Sequence, residues 1–352
     1  MKTYMTAGAA LLLTTSIATA GGLDRSGQSI GIIFEDGDYA ELSFGSVSPS
    51  LSGSVGGGTV ASGNIGPSYV QLGVAYKTQV NDQVALAVIY DQPFGADVLY
   101  PTGTGYPIAG YNAQVETDSV TALGRYEFDS NFSVHGGLRY VQARGVYDVL
   151  AYNSTYSTDG GFGYVVGGAY EREEIALRVA LTYSSEIDLN LDGSGAGGAG
   201  DLSTTLPESI NLDFQTGVAE DTLVFGSIRY VAWDGFALVD AVNPTTTGSI
   251  LSYDDDVITY NIGVGRRITD NFAASFGIGY EASSGETTGQ LGPTDGYISY
   301  QIGGAYTMDN GVEVSGGVRY VDLGNATTDA PLGAAFNDNH AIAVGLKVAM
   351  SF

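Results

Sequence analysis

The sequence predicts an all-β fold, a transmembrane antiparallel β-barrel of about fourteen strands with a short N-terminal hatch inside its lumen. Three observations predict it. Apolar residues fall on alternate positions over long runs, as in the closing segment Ala341-Ile-Ala-Val-Gly-Leu-Lys-Val-Ala-Met-Ser-Phe352. Tyrosines mark both ends of these runs. After the N-terminus, no stretch approaches the roughly 18 uninterrupted apolar residues of a spanning helix. A bilayer core offers the backbone no hydrogen-bond partner, so strands that cross it must close on themselves.

Each element follows from that pattern. Ascending strands end in Val88-Ile-Tyr90, Leu138-Arg-Tyr140, Leu181-Thr-Tyr183, Ile228-Arg-Tyr230, Ile278-Gly-Tyr280 and Val318-Arg-Tyr320. Descending strands finish near Tyr76, Tyr126, Tyr170, Arg266 and Tyr306, followed by short polar turns such as Asn81-Asp82, Asp129-Ser-Asn131 and Asp309-Asn310-Gly311. The alternate connections are longer and rich in Gly, Ser or Thr. Short turns at one end and long loops at the other are the asymmetry of an outer-membrane barrel, and a propeller of similar period has no need of aromatic girdles. The expected strands lie near 38–52, 68–78, 83–93, 113–128, 131–147, 160–171, 174–190, 206–219, 222–238, 253–268, 271–283, 295–307, 311–324 and 338–352. Pro49 and a run of serines interrupt the pattern of the first. An even count leaves both ends on the periplasmic side.

Alternation also assigns faces. Val312, Val314, Val318 and Tyr320 should meet lipid, with Glu313, Ser315, Arg319 and Val321 inside. By the same parity Ile228, Tyr230, Leu138 and Tyr140 point outward, and Arg229, Ser133, His135 and Arg139 point inward. Charges fall mostly on the inward parity, as the cost of a charge in lipid demands.

Residues 1–20 read as a secretory signal: Lys2, an apolar run from Ala7 to Ile17, and Ala18-Thr19-Ala20 as the cleavage site. Residues 21–37 form the hatch and 38–352 the barrel. The hatch carries Leu23, Ile30, Ile32, Ile33 and Phe34 and is too apolar to hang in the periplasm. A fourteen-stranded lumen is open unless occupied, so this segment is expected to fold back into it. The destination is the outer membrane of a Gram-negative bacterium, with outer-membrane lipids around a barrel expected to be monomeric.

The composition excludes several functions. Cys is absent and only His135 and His340 carry imidazoles, so neither thiolate nor imidazole metal sites are expected, and no cofactor motif is visible. A net charge of −26 argues against nucleic acid. Acidic loops keep a barrel soluble; divalent-cation bridging to anionic headgroups, for instance through Asp254-Asp255-Asp256, is the sharper reading. Ser133 and His135 share a face, but same-face neighbours lie about 7 Å apart along a strand, beyond hydrogen-bond reach. With no orienting acid identifiable, no catalytic residue is assigned and the chain is not expected to be an enzyme.

Several stretches resemble the FadL/TodX family of outer-membrane transporters for long-chain fatty acids and other hydrophobic molecules. Asp91-Gln-Pro93-Phe94-Gly95 is similar to the Pro-Phe-Gly ending of that family's third strand. Leu206-Pro207-Glu208-Ser209, Val231-Ala-Trp233-Asp-Gly-Phe236, and Tyr260-Asn-Ile-Gly263 with Ile268-Thr-Asp270-Asn271 resemble further family elements. The resemblance implies fourteen strands, an N-terminal hatch, capture at external loops, and sideways exit through a gap at a kinked third strand. Two departures stand out. Residues 21–50 lack the hatch's Asn-Pro-Ala motif, and the loop at 191–205 is too Gly-rich for a helical capture element.

A fatty acid needs apolar surface for its tail and a cation for its carboxylate, and Arg pairs bidentately with carboxylates. The repeated Arg-Tyr-Val at Arg139, Arg229 and Arg319 places guanidinium groups inward at similar height, and Arg178 shares that parity. The competing reading has them neutralising lumenal carboxylates on neighbouring strands. The loop at 94–112, with Phe94, Leu99, Tyr100 and Tyr106, either captures a hydrophobic ligand or folds inward to block the lumen. The expected function is passive transport of hydrophobic small molecules, long-chain fatty acids or related lipids foremost. A general porin for polar solutes and a structural or adhesive barrel are the alternatives.

Overall fold

The computed structural model describes residues 22–128, 130–149, 152–158, 160–240, 242 and 249–352. The signal at 1–20, together with Gly21 and Asp129, lies outside the described residues. Fourteen antiparallel strands form the barrel: β1 (Tyr39–Ser50), β2 (Tyr69–Asn81), β3 (Val84–Asp91), β4 (Asn112–Glu127), β5 (Phe132–Val149), β6 (Gly161–Arg172) and β7 (Leu177–Ser184), then β8 (Ser209–Ala219), β9 (Thr222–Val231), β10 (Val257–Arg267), β11 (Phe272–Glu281), β12 (Tyr297–Thr307), β13 (Val312–Leu323) and β14 (His340–Ser351). β1 closes the cylinder against β14, from Tyr39 opposite Ser351 to Ser50 opposite His340. Closure leaves no strand of the barrel as a free edge. The first strand is complete despite Pro49, which sits near its upper end opposite Ala341.

The expected faces hold. Leu138, Val318 and Tyr320 are exposed on the outer wall, while Ser133, His135, Arg139, Arg229, Ser315 and Arg319 are buried inside. Cross-strand register stacks the aromatics at two heights: Tyr260 opposite Tyr280 and Tyr300 opposite Tyr320 above, Phe272 opposite Tyr306 and Phe132 opposite Tyr170 below. Phe272 and Tyr280 on β11 are separated by about 27 Å of strand. At the usual tilt that gives roughly 20 Å of height, close to the apolar band of such barrels.

Three strands are shorter than the alternation suggested: β7 stops at Ser184 rather than near 190, where the chain leaves the barrel wall for the hairpin that follows. β9 stops at Val231, because the chain turns inward to bury Trp233 and Phe236. β8 begins only at Ser209, since Pro207 lacks the N–H a ladder requires. Beyond it, Ile187–Gly195 pairs with Gly198–Leu206 as a hairpin above the membrane.

Residues 22–35 lie inside the bore, and Asp36 and Gly37 are exposed at its lower mouth. Ile30, Ile32, Ile33 and Phe34 pack on Ala75, Ala85, Ala87, Ala169 and Ala180, small inward residues that leave room for them. Full burial of four such side chains stabilises docking by roughly 6–12 kcal/mol, an upper bound because the free segment is itself partly collapsed. Below them, Lys77 Nζ donates to the Glu35 and Gly37 carbonyls at 2.8 Å each. Phe352 N donates to the Asp38 carbonyl at 2.9 Å, fixing the segment to the last strand.

Candidate functional site

β3 is the strand that departs from the cylinder. It leaves its β2 ladder at Tyr90, opposite Val74, turns inward through Gln92-Pro93-Phe94, and resumes as Gly95–Leu99 beside β4. Pro93 cannot donate to a ladder, so the break falls where the sequence removes the donor. Thr117 of β4 repairs the other side, its hydroxyl accepting from Phe94 N at 2.9 Å and donating to Phe94 O at 2.7 Å. Towards β2 the ladder stays open over residues 69–73. Leu72 N there is met by the Gln92 side chain at 3.0 Å, and backbone bonding resumes only at Leu99 N to Ile65 O, 2.9 Å. The wall therefore has a gap between β2 and β3.

The N-terminal segment docks against that kink. Arg25 N donates to Pro93 O at 2.7 Å, Gly95 N donates to Leu23 O at 2.8 Å, and Asp24 bridges Phe94. Asp24 also takes the Arg229 guanidinium at 2.5 and 3.2 Å. Both side chains are about 6% exposed. Arg229 is further held by Gln28 Oε1, Ser209 Oγ and Asn211 Oδ1 at 3.1, 3.1 and 2.8 Å.

Two cavities flank this junction. The outer one is apolar, lined by Leu23, Phe94, Ala96, Val98, Ala143 and Tyr156, by Leu189, Leu191, Leu202 and Leu206 of the outer hairpin, and by Phe236 and Leu251. At about 70 Å³ it lies below the 300–1,000 Å³ usual for small-molecule sites, so side chains must part to admit a long molecule. Arg144 is the one cation among its described lining residues, and Glu116 and Asp118 already engage it at 2.7 and 2.6 Å. The lower cavity, about 340 Å³, has mixed polar and apolar walls and runs to the gap, touching lumenal Arg178, Arg229, Arg319 and Lys347 as well as Leu72 of β2, which faces lipid.

The arginines do not form one cluster. Arg139 is buried against Thr121 Oγ1 (2.9 Å) and Ser184 Oγ (3.1 Å) and lines neither cavity. Arg178 bonds Gln215 at 3.1 Å and lies 4.8 Å over the Phe34 ring. Arg319 bonds Gln301 at 2.8 Å. The carboxylate on Arg229 comes from the N-terminal segment. Cross-strand neutralisation fits Arg178, which faces Glu171 in the β6–β7 register.

The loop after the kink folds inward rather than reaching out. Phe94 is buried in the outer cavity. Tyr100 and Tyr106 stack at 5.3 Å in a separate cap with Val47, Leu51 and Phe336, and Leu99 points outward at 43% exposure. Of these four candidates only Phe94 lines either of the two cavities. The cavity wall that sequence reasoning missed is the hairpin at 187–206. Its alternation Ile187, Leu189, Leu191 and Leu202, Thr204, Leu206 was visible, but the intervening glycines masked it. Trp233 lies in the stretch Val231-Ala-Trp233-Asp-Gly-Phe236. It is fully buried against Phe94 (5.6 Å) and Phe236 (5.0 Å) beside the junction. His135 bonds Thr182 at 3.0 Å, not Ser133. Asp256 accepts from Tyr230 OH at 2.6 Å, and no metal-binding cluster occurs among the described residues.

A closed outer-membrane barrel with an occupied bore, a broken third strand and an apolar outer pocket defines a class of membrane channel for non-polar compounds. The family model "outer membrane protein transport protein (OMPP1/FadL/TodX)" matches residues 36–346, and the chain belongs to that family. The fold is similar to a Pseudomonas aeruginosa FadL homologue (13% identity, TM-score 0.75, 96% of this chain and 97% of that one). It is also similar to the Ralstonia pickettii toluene transporter TbuX (13%, TM-score 0.65, 91% and 90%) and the P. putida toluene transporter TodX (12%, TM-score 0.65, 96% and 99%). No curated protein matches.

Proposed function

We propose that this chain passively conducts hydrophobic small molecules whose buried part is uncharged, either whole hydrocarbons or the acyl tails of long-chain fatty acids. The apolar outer pocket carries this reading. Its one lining cation is already paired, so a carboxylate has no place to settle there, whereas each buried methylene gains about 0.8 kcal/mol. The head of a fatty acid would stay at the rim and meet the bore arginines only after the junction opens. The N-terminal hatch blocks the lower bore with packed isoleucines, so the gap beside β3 is the shorter way out, into the membrane. No step calls for chemistry or an energy source.

The test uses Trp233, the only tryptophan of the chain. Its emission is titrated with a neutral alkylbenzene and with a long-chain fatty acid in detergent-solubilised protein. Saturable responses to both are expected, the neutral ligand's independent of pH. A flat response to every apolar ligand, with large steady conductance in planar bilayers, would replace this reading by that of a general porin.

A further inference from the structure

The two cavities share no lining residue, and the changeover is sharply located. Along the hatch, Leu23 lines the outer cavity and the lower one begins at Ser26. Along β3, the lower cavity ends at Gln92 and the outer one begins at Phe94. The partition is therefore Asp24, Arg25 and Pro93, with Asp24 pinned to Arg229 across the bore. Arg25 runs the other way, towards the wall. Its guanidinium bonds Asp97 at 2.7 Å, both side chains largely buried, and lies 4.1 Å over the ring of Tyr69. Asp97 belongs to the resumed part of β3 and Tyr69 to β2, so Arg25 spans the stretch where these strands share no ladder. Gly95 makes room for it: a Cβ there would stand 2.7–2.8 Å from the guanidinium. Gly95 does not have a left-handed φ, so its smallness, not its flexibility, is what this position uses.

We infer that Arg25 is the bolt of the exit, a positioning residue that closes both the partition between the cavities and the gap in the wall. The inference rests on the transport reading above. Because one side chain serves both closures, hatch release and wall opening are a single event. A molecule in the outer pocket that displaces Leu23 breaks the two backbone bonds to Pro93 and Gly95 and draws Arg25, two residues along the chain, off Asp97 and Tyr69. A molecule entering the lower cavity then finds the gap already open.

The experiment places the full chain in bilayers containing lipids brominated on the acyl chain and reads quenching of Trp233, alongside uptake of a neutral apolar dye. Arg25→Ala removes the bolt. Gly95→Ala keeps its charge but drives it out by contact, and serves if Arg25→Ala fails to insert. Both should raise lipid quenching several-fold and speed dye uptake. Quenching at the wild-type level in an inserted variant, while wild-type protein takes up dye, overturns the role of Arg25. Absence of dye uptake by wild type and both variants instead removes the transport reading beneath it, even where quenching rises.

Discussion

Replacing either member of the Asp24–Arg229 pair should loosen one end of the hatch, and by unequal amounts. Breaking a buried ion pair by removing one partner costs about 3–5 kcal/mol, because the other charge is left in a dry site. Asp24→Ala strands Arg229, but that guanidinium keeps Gln28, Ser209 and Asn211, so the cost should fall near 3 kcal/mol. Arg229→Met strands Asp24 among acidic neighbours, Glu281 included, and should cost nearer 5 kcal/mol. These values are below the roughly 6–12 kcal/mol that burial of Ile30, Ile32, Ile33 and Phe34 contributes. Residues 22–28 should therefore open while 30–34 stay docked. Hydrogen exchange read by mass spectrometry checks this. In Asp24→Ala the 22–28 peptide should exchange about a hundredfold faster, in Arg229→Met more than a thousandfold faster, with 30–34 unchanged. The double variant should lie near wild type, since removing both charges removes the penalty. Equal effects of the two single variants, or a double variant worse than both, would refute the argument.

Three further outcomes are expected. Burial pushes the Glu35 carboxyl up to about 7, against the lowering effect of Lys347 and Arg178 and with Glu41 and Glu313 adding to the rise. A raised carboxyl favours the docked hatch fully below its free value of 4.5 and loses that contribution as pH climbs through about 7. Exchange protection of 30–34 should thus fall over that interval and then level, and Glu35→Gln should abolish the fall. Leu191→Asp would put an unpaired charge into the outer pocket and should remove saturable alkylbenzene binding while the barrel still inserts, as shown by circular dichroism. Ile302→Lys, on the lipid face, should cost about 2–4 kcal/mol in refolding titrations into bilayers, whereas Ser227→Lys, facing the lumen, should be nearly neutral.

The barrel was legible because its rules are local. Alternation at Val312–Leu323 or His340–Ser351 fixes which side chains meet lipid, and the tyrosines fix where lipid ends. Cross-strand register then follows from matching these faces. The apolar run Ile30–Phe34 likewise announced its need for cover. What the sequence alone left open was every relation between distant segments. Nothing local to Arg229 says that its carboxylate lies on Asp24 rather than across a strand, and nothing local to Tyr100 and Tyr106 says that they cap the barrel while Phe94 lines a pocket. The glycines at 193–200 hid a hairpin because they carry no side chain to mark the alternation, although that strand pairs both with its return and with residues 154–157. Only the folded chain sets Gly95 beneath a guanidinium from the hatch. Strand periodicity is a property of neighbours in sequence, whereas a pocket, a gap and a latch exist only where closure of the cylinder brings remote residues together.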